Sequence, residues 1–453
     1  MAILGAALYQ AAIKEGSTAV LSWRVKKSGV IAPDERLPWA STIALGLQHA
    51  LAMFGATVVA PLLMGFQVNT ALFFSGVATV IFFIVVAGKV PSYLGSSFAF
   101  IGPVLAVTGG KEANIPLALG GIVAAGVVYA VLALITMFAG TAWINFLMPP
   151  AVTGAVVMVI GLNLAGVGAT DIAGAHDLNH AWITAGVTLA VALLSSVYLP
   201  GFLRRLPILL GGVAGYVVAV LLGDVKFDSV TSADWFGLPK FTTPPQFDAH
   251  AIGLIAPVAI VLVAENTGHI KAVGQITRRN LDGFLGRAFA GDAISTIISG
   301  FFGGTGVTTY AENIGVMAMT RVYSTIVFLI ASGVALLLGL CPKFGALVQT
   351  IPAYAPGVLG GLSIVLFGLI AATGARIWVE NQVDFGRGRN LLMAGVALIL
   401  GTGAYTINIG NFPLTGITLA TLAAIVLYQI LRDPATPESK EDTGSADTSS
   451  GRE

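Results

Sequence analysis

The chain is short of charge and of cysteine, and each shortage removes a class of protein. Charged residues are 10% of its 453 positions, against about 25% in soluble domains. A single cysteine, Cys341, excludes an intramolecular disulfide framework. No His/Cys cluster stands at metal-ligand spacing, no GxxxxGK(S/T) phosphate loop occurs, and no Gly-rich dinucleotide fingerprint follows a strand pattern. No hydrophilic stretch is long enough for a nucleotide-hydrolysing domain, so an ATP-driven pump is disfavoured. An enzyme is not expected, and neither is a metal or organic cofactor. A cleavable signal is not evident either, because the apolar start of residues 1–40 runs into "WRVKKSGVIAPDERLP". A net charge of +1 gives no reason to expect nucleic acid as a partner.

Apolar sequence fills the space these absences leave. Hydrophobic residues reach 56% and mean hydropathy is +0.88. Runs such as "TALFFSGVATVIFFIVVAG" (70–88) and "IPLALGGIVAAGVVYAVLALITMFAG" (115–140) match the ~20 residues that span a bilayer. The ~10-residue alternating segments of a β-barrel are missing. The fold class expected is therefore an all-α polytopic membrane protein. Fourteen segments are predicted, near 41–64, 70–88, 96–109, 115–140, 150–168, 181–199, 206–223, 251–269, 286–303, 307–319, 322–341, 350–374, 391–408 and 413–431. With both termini cytoplasmic, every Lys and Arg falls inside except Lys111, Lys226, Lys240 and Lys343, as the positive-inside rule requires. Residues 1–40 then form a cytoplasmic N-terminal tail. Residues 433–453, polar and Pro/Ser-rich, form a disordered cytoplasmic C-terminal one.

The third and tenth segments are unusually short and resemble each other. "SSFAFIGPVLAV" (96–107) and "TTYAENIGVMAM" (308–319) each read as two hydroxyl residues, an aromatic, Ala, and then Ile-Gly before an apolar run. Seven crossings separate them, which inverts their direction through the membrane. Paired, short, Gly/Pro-interrupted segments in an inverted repeat mark secondary transporters that bind substrate near the midplane. The hydroxyl–aromatic stretch favours extended backbone and the run after it favours helix. Each segment is therefore predicted to enter extended and turn helical, aiming free N–H groups and a positive dipole end at the centre. On this pattern the first segment has a Phe where the second has Glu312.

Of the 22 acids, all but Glu265, Asp292 and Glu312 are assigned to loops or tails. In "VLVAENTGHIKAV" (261–273), Glu265 and His269 stand i, i+4 and share a helix face. Ionisable groups are costly in hydrocarbon, so two on one face beside Asn266 and Thr267 imply a polar cavity rather than a packing pair. Glu312 follows Tyr310 at the predicted break, where it can cap its helix or accept from a ligand N–H. Gln48 and His49 in the first span are secondary candidates, with hydrogen-bonded core the stronger reading for the histidine. Asp292 is expected at the cytoplasmic end of the ninth span, in a structural or gating role. His176, His180 and His250 are assigned to external loops.

The stretches "LQHALAMFGATVVAPLL", "PSYLGSSFAF", "AENTGH" and "TTYAENIGVMAMTRVYS" closely resemble the nucleobase:cation symporter family, also called the nucleobase–ascorbate transporters, in its bacterial uracil permease branch. The resemblance runs from about residue 30 to 430. It implies a seven-plus-seven inverted repeat with a core domain (41–140 and 251–341) and a gate domain (141–250 and 342–432). It also implies proton-driven uptake into the cell across the inner membrane, and it is compatible with a homodimer. Glu265 and Glu312 would then be the substrate-binding carboxylates, with His269 as polar partner and Glu265 with His269 as the proton-coupling pair. Phe98 and Tyr310 would form aromatic walls, the backbone of Phe98 and Ala311 would donate, and Ser363 and Phe367 would face the site from the gate. The uracil permeases carry tyrosine at the position of Phe367 and histidine at that of Asn266, which widens the expected substrates to thymine or xanthine. Uracil alternates N–H donors and carbonyl acceptors, matching carboxylates, backbone N–H groups and aromatic faces. A proton-coupled purine permease, a passive nucleobase facilitator and an anion exchanger of similar architecture are the competing readings. The two acids argue against the last.

Overall fold

The computed structural model describes residues 22–109, 112–239, 241, 244–403, 405–409 and 412–431. It is mainly helical through the apolar sequence, as backbone without water to bond to favours. Proline sits in the first turn of several helices, at Pro150, Pro207 and Pro356, where its missing N–H costs nothing. Glycine in the left-handed region closes others, at Gly65 and Gly109. Among the described residues, seven helices are long and apolar enough to cross a membrane by length and composition. A further pair, Ile326–Gly339 and Pro342–Tyr354, bends by 80° at its break. Four of the remaining predicted segments coincide with shorter apolar helices, Phe98–Thr108, Pro207–Leu221, Gly388–Thr402 and Gly416–Ile430, and the other two with the helices Leu285–Phe301 and Ala311–Thr320.

The helices pack in two groups. Trp39–Met64, Val68–Val85, Ile115–Ala139, Leu285–Phe301 and Ile326–Gly339 pack on one another. Pro150–Asn163, Leu178–Tyr198, Pro207–Leu221, Pro356–Glu380, Gly388–Thr402 and Gly416–Ile430 make the second set. In that set, glycine permits backbone approach rather than flexibility. A Cβ on Gly161 would overlap the Phe367 carbonyl, and one on Gly374 would overlap Met158, the close packing small residues allow between apolar helices.

The two short segments meet at the centre. Leu94–Ser96 and Val307–Thr309 form an antiparallel pair with Leu94 opposite Thr309, Gly95 opposite Thr308 and Ser96 opposite Val307. The ladder is extended by Ser97 N–H to the Gly306 carbonyl at 2.9 Å and Tyr310 N–H to the Tyr93 carbonyl at 3.0 Å. Each strand bonds the other, so two extended stretches are satisfied inside apolar surroundings. Both chains then turn helical, at Phe98 and at Ala311. The expected extended-then-helical course is thus present in both.

Four expectations are corrected. Matching the helix starts, Phe98 and Ala311, makes Ala99 the counterpart of Glu312, not a Phe. Asp171, assigned to a loop, lies in the helix Ala165–Ala173, which continues the apolar Pro150–Asn163. The spans predicted at 391–408 and 413–431 both include strand: Thr406–Ile409 pairs antiparallel with Phe412–Thr415, because β-branched residues there favour a pleated ribbon over helix. Finally, residues 22–37, expected within a tail, fold against the first helix group, while 433–453 lie outside the described residues.

Candidate functional site

Three elements converge where the short segments turn helical. The helix Ala311–Thr320 begins after extended Tyr310 and has no side-chain cap, so its first N–H groups are left for other acceptors. Ala311 and Glu312 are exposed while Asn313 and Ile314, next along the helix, are buried. The first turn therefore opens on a space with a carboxylate at its rim. Across the strand pair, Phe98–Phe100 forms a 3-10 turn with Ser97 as its N-cap. The Ser97 hydroxyl accepts from Ala99 N–H at 3.3 Å and donates to Glu265 Oε2 at 3.3 Å, using both of its capacities.

Glu265 and His269 belong to the third element, the helix Val258–Thr277, and both are half-buried. His269 Nδ1 lies 2.9 Å from Thr309 Oγ1, and that hydroxyl donates to Asn266 Oδ1 at 3.3 Å. The Thr309 hydroxyl thus joins the histidine ring to Asn266. Asn266 donates in turn to Asp292 Oδ2 and, at 3.1 Å, to the Tyr129 hydroxyl, which donates to the Leu262 carbonyl. Glu265 lies within electrostatic reach of both Glu312 and Asp292.

Asp292 corrects another expectation. It is fully buried near the middle of Leu285–Phe301 rather than at a span end, and its Oδ1 has no partner among the described residues. The flanking small residues Ala290, Gly291 and Ala293 let the helix approach its neighbours closely enough to enclose it. His49 is fully buried, as the hydrogen-bonded-core reading expects. Asn313 donates to its Nδ1 at 3.0 Å and to its carbonyl at 3.1 Å, and its ring lies 4.6 Å from that of Phe328. It fastens the helix behind Glu312. Gln48 is half-buried beside it.

The aromatic candidates separate. Phe98 meets Phe367 edge to face at 6.2 Å, so the two helix groups touch here. Ser363, one turn before Phe367, is fully buried with its hydroxyl unpartnered among the described residues. Tyr310 instead points into the first helix group. Its hydroxyl donates to the Ser96 carbonyl at 3.1 Å and accepts from Thr57 at 3.2 Å, and its ring lies 6.1 Å from that of Tyr93. Ser97, Thr309 and Tyr129 were not singled out from the sequence. The repeated hydroxyl pairs carried the signal for the first two, but as side chains rather than as β-formers.

This arrangement brings carboxylate acceptors, uncapped helix N–H donors and a phenyl edge to the place where the two short segments turn helical. Those groups can hold a flat molecule with alternating donors and acceptors. The profile described as "Permease family" (Xan_ur_permease) matches residues 40–410. A chain from Escherichia coli (strain K12) named as the pyrimidine permease RutG is 53% identical over 425 residues, covering 90% of this chain and 94% of that one. The uracil permease of the same organism is 42% identical over 409 residues, covering 89% and 94%. Among solved structures, murine Slc26a9, titled an anion transporter in the inward-facing state, superposes with a TM-score of 0.66 at 12% identity, over 93% of this chain and 71% of that one. The transmembrane domain of the cyanobacterial bicarbonate transporter BicA gives 0.60 at 14% identity, over 86% and 96%. At those identities the likeness is one of fold.

Proposed function

This chain belongs to the permease family Xan_ur_permease, a multi-pass membrane protein and not an enzyme, and from that membership we propose that it imports uracil or a related pyrimidine by proton symport, with alternating access. The reading is supported by the meeting of the two half-helix starts with the helix of Glu265: Ser97, cap of the first, bonds Glu265, and Glu312, in the first turn of the second, lies within its electrostatic reach. Two acids suit the N–H groups of a neutral pyrimidine and would repel an anion, which distinguishes this site from that expected in anion transporters of similar fold. The uracil N–H groups bond Glu265 and Glu312, the first-turn N–H groups from Ala311 bond a carbonyl, and Phe98 with Phe367 flanks the ring. Such a site rejects analogues that leave a buried acceptor unpaired. Tyr310 and His49 support the second half-helix from behind.

For coupling, Glu265 is the group whose proton differs between access states. Ser97 bonds its ionised form, and Asp292, joined through Asn266 and Thr309 to His269, is a second acid within its field. Two nearby acids in one apolar setting do not readily ionise together, so binding and proton uptake are linked. The protein sits in the bacterial inner membrane with both termini cytoplasmic, as the lysine and arginine distribution supports. Purified protein in liposomes with an inward proton gradient tests the reading. Labelled uracil should accumulate, compete with thymine more strongly than with xanthine, hypoxanthine or cytosine, and stop accumulating with an uncoupler. Glu265→Gln should bind uracil yet lose gradient-driven accumulation. Accumulation that persists with the uncoupler would mean a facilitator or another ion.

A further inference from the structure

The helices that carry Glu265 and Glu312 end in the same way. Val258–Thr277 stops at Arg278 with φ 54°, and Ala311–Thr320 stops at Arg321 with φ 55°. A non-glycine residue there sets Cβ against a carbonyl and persists where its surroundings hold it. The segment ahead of the first helix holds both ends. Its Arg24–Val25 strand pairs in parallel with Glu35–Arg36. The turn between them is closed by Glu35 Oε2, which accepts from Ala32 N–H at 2.9 Å and from Lys26 Nζ at 3.2 Å.

From this small frame, Ile31 donates its N–H to the Arg321 carbonyl at 3.1 Å and accepts from Tyr323 N–H at 2.8 Å. Its side chain is fully buried. The Pro33 carbonyl accepts from both the N–H and the hydroxyl of Thr325, and the Trp23 indole donates to that same hydroxyl at 2.9 Å. On the other side, Asp34 takes Arg24 at 2.8 Å and Arg279, the residue after Arg278, at 3.6 Å. The Arg24 guanidinium keeps the Asp34 carboxyl below the usual carboxylate range. The partners outside the segment lie just past the end of Val258–Thr277, at the end of Ala311–Thr320 and at the start of Ile326–Gly339.

We propose that residues 23–36 are a positioning strap that sets the spacing of Glu265 and Glu312 by fastening the ends of their two helices together. The inference rests on the reading of those residues as the substrate acids. One attachment is by backbone, at Arg321, and the other by charge, at Arg279, so a single folded segment bridges two helices that contact the ligand from different sides. The Thr325 hydroxyl is the most concentrated point of attachment, and it has no contact with the site.

Amide hydrogen exchange of the full chain in detergent tests the strap without any ligand, and uracil binding tests its consequence. Thr325→Val keeps the shape and removes the hydroxyl. Exchange within 307–320 should quicken about tenfold, while Pro356–Glu380 in the other group stays unchanged. Uracil Kd should weaken about fivefold, as a shift of acceptors by a fraction of their hydrogen-bond length implies. Exchange that is unaltered in 307–320, or raised evenly across both groups, overturns the strap, as does an unchanged Kd alongside faster exchange. Should Thr325→Val fail to fold, Asp34→Asn at the half-exposed end should quicken exchange around 274–281 about threefold, and no change there overturns the proposal. Wild-type protein that fails to bind uracil overturns the substrate reading instead, and the exchange result still decides the strap.

Discussion

The two short segments share a strand, a turn into helix and an Ile-Gly pair, but they spend their helix starts differently. At Ser97 the first segment caps its own turn and passes a hydrogen bond to Glu265. Its next residues, Phe98 to Phe100, are all buried. At Tyr310 the second has no side-chain cap, and the ring turns back under the strands. The residues after it, Ala311 and Glu312, face open space. Where the first gives its cap residue to another element's acid, the second delivers an acid of its own. Symmetry of backbone therefore does not carry symmetry of chemistry. A repeat that places two equivalent dipole ends about one centre leaves side chains to decide which end meets the ligand.

Ala99 and Glu312 are equivalent by element and opposite in setting, which makes exchange between them the sharpest way to break the comparison. Ala99→Glu puts a carboxylate in a position with 0% exposure. We expect loss of about 3–5 kcal/mol and little folded protein, read by size-exclusion and thermal scanning in detergent. Normal folding would mean the first segment can open as the second does. Glu312→Ala comes next. The side chain is exposed, so the melting temperature should hold, while loss of a charged acceptor of about 1.5–3 kcal/mol should weaken uracil binding about 10- to 100-fold by titration calorimetry. Unchanged affinity would return Glu312 to a simple capping role.

How much of this was legible depended on whether a residue's role is set locally. The apolar runs, the paired short segments and the Glu265–His269 face follow from composition and spacing, and most appear as helices or strand–helix breaks near the expected positions, the strand pair at Thr406–Ile409 and Phe412–Thr415 excepted. Glu265 and Glu312 stood out because a carboxylate in an apolar run has few explanations. Asp292 stood out with them, but its depth did not, because whether a residue sits at a span's end or its middle depends on how deep neighbouring helices bury it, and boundaries read from sequence err by a few residues. Tyr310 failed in the other direction. The resemblance implies an aromatic wall, but its hydroxyl is taken by the Ser96 carbonyl and Thr57, partners on two other elements that nothing around Tyr310 in the chain announces. The link from Thr309 through Asn266 to Asp292 joins three separate elements, and no local pattern encodes such contact. The strap of residues 23–36 was missed for a similar reason. Its charges look like those of a solvated tail until Arg279 is seen beside Asp34 and the Arg321 carbonyl beside Ile31.

Ser97 gives the smallest and most discriminating effect. Its hydroxyl does two jobs, capping the 3-10 turn and bonding Glu265, and Ser97→Ala removes both. The cap is worth about 1 kcal/mol and a bond to a charged group about 1.5–3 kcal/mol at most, with the long 3.3 Å separation placing it at the lower end. If the first segment acts only as a scaffold, the loss falls on stability and uracil affinity stays put. If it orients Glu265, affinity falls about fivefold, and the pH at which binding is half-maximal rises. The sign follows from the bond itself: Ser97 donates to the ionised carboxylate, so its removal favours the protonated form. Ser97→Thr, which keeps the hydroxyl, should restore both. Titrating uracil binding against pH in the two variants separates a scaffold from an orienting residue, and with it decides whether the first short segment takes part in the proton step at all.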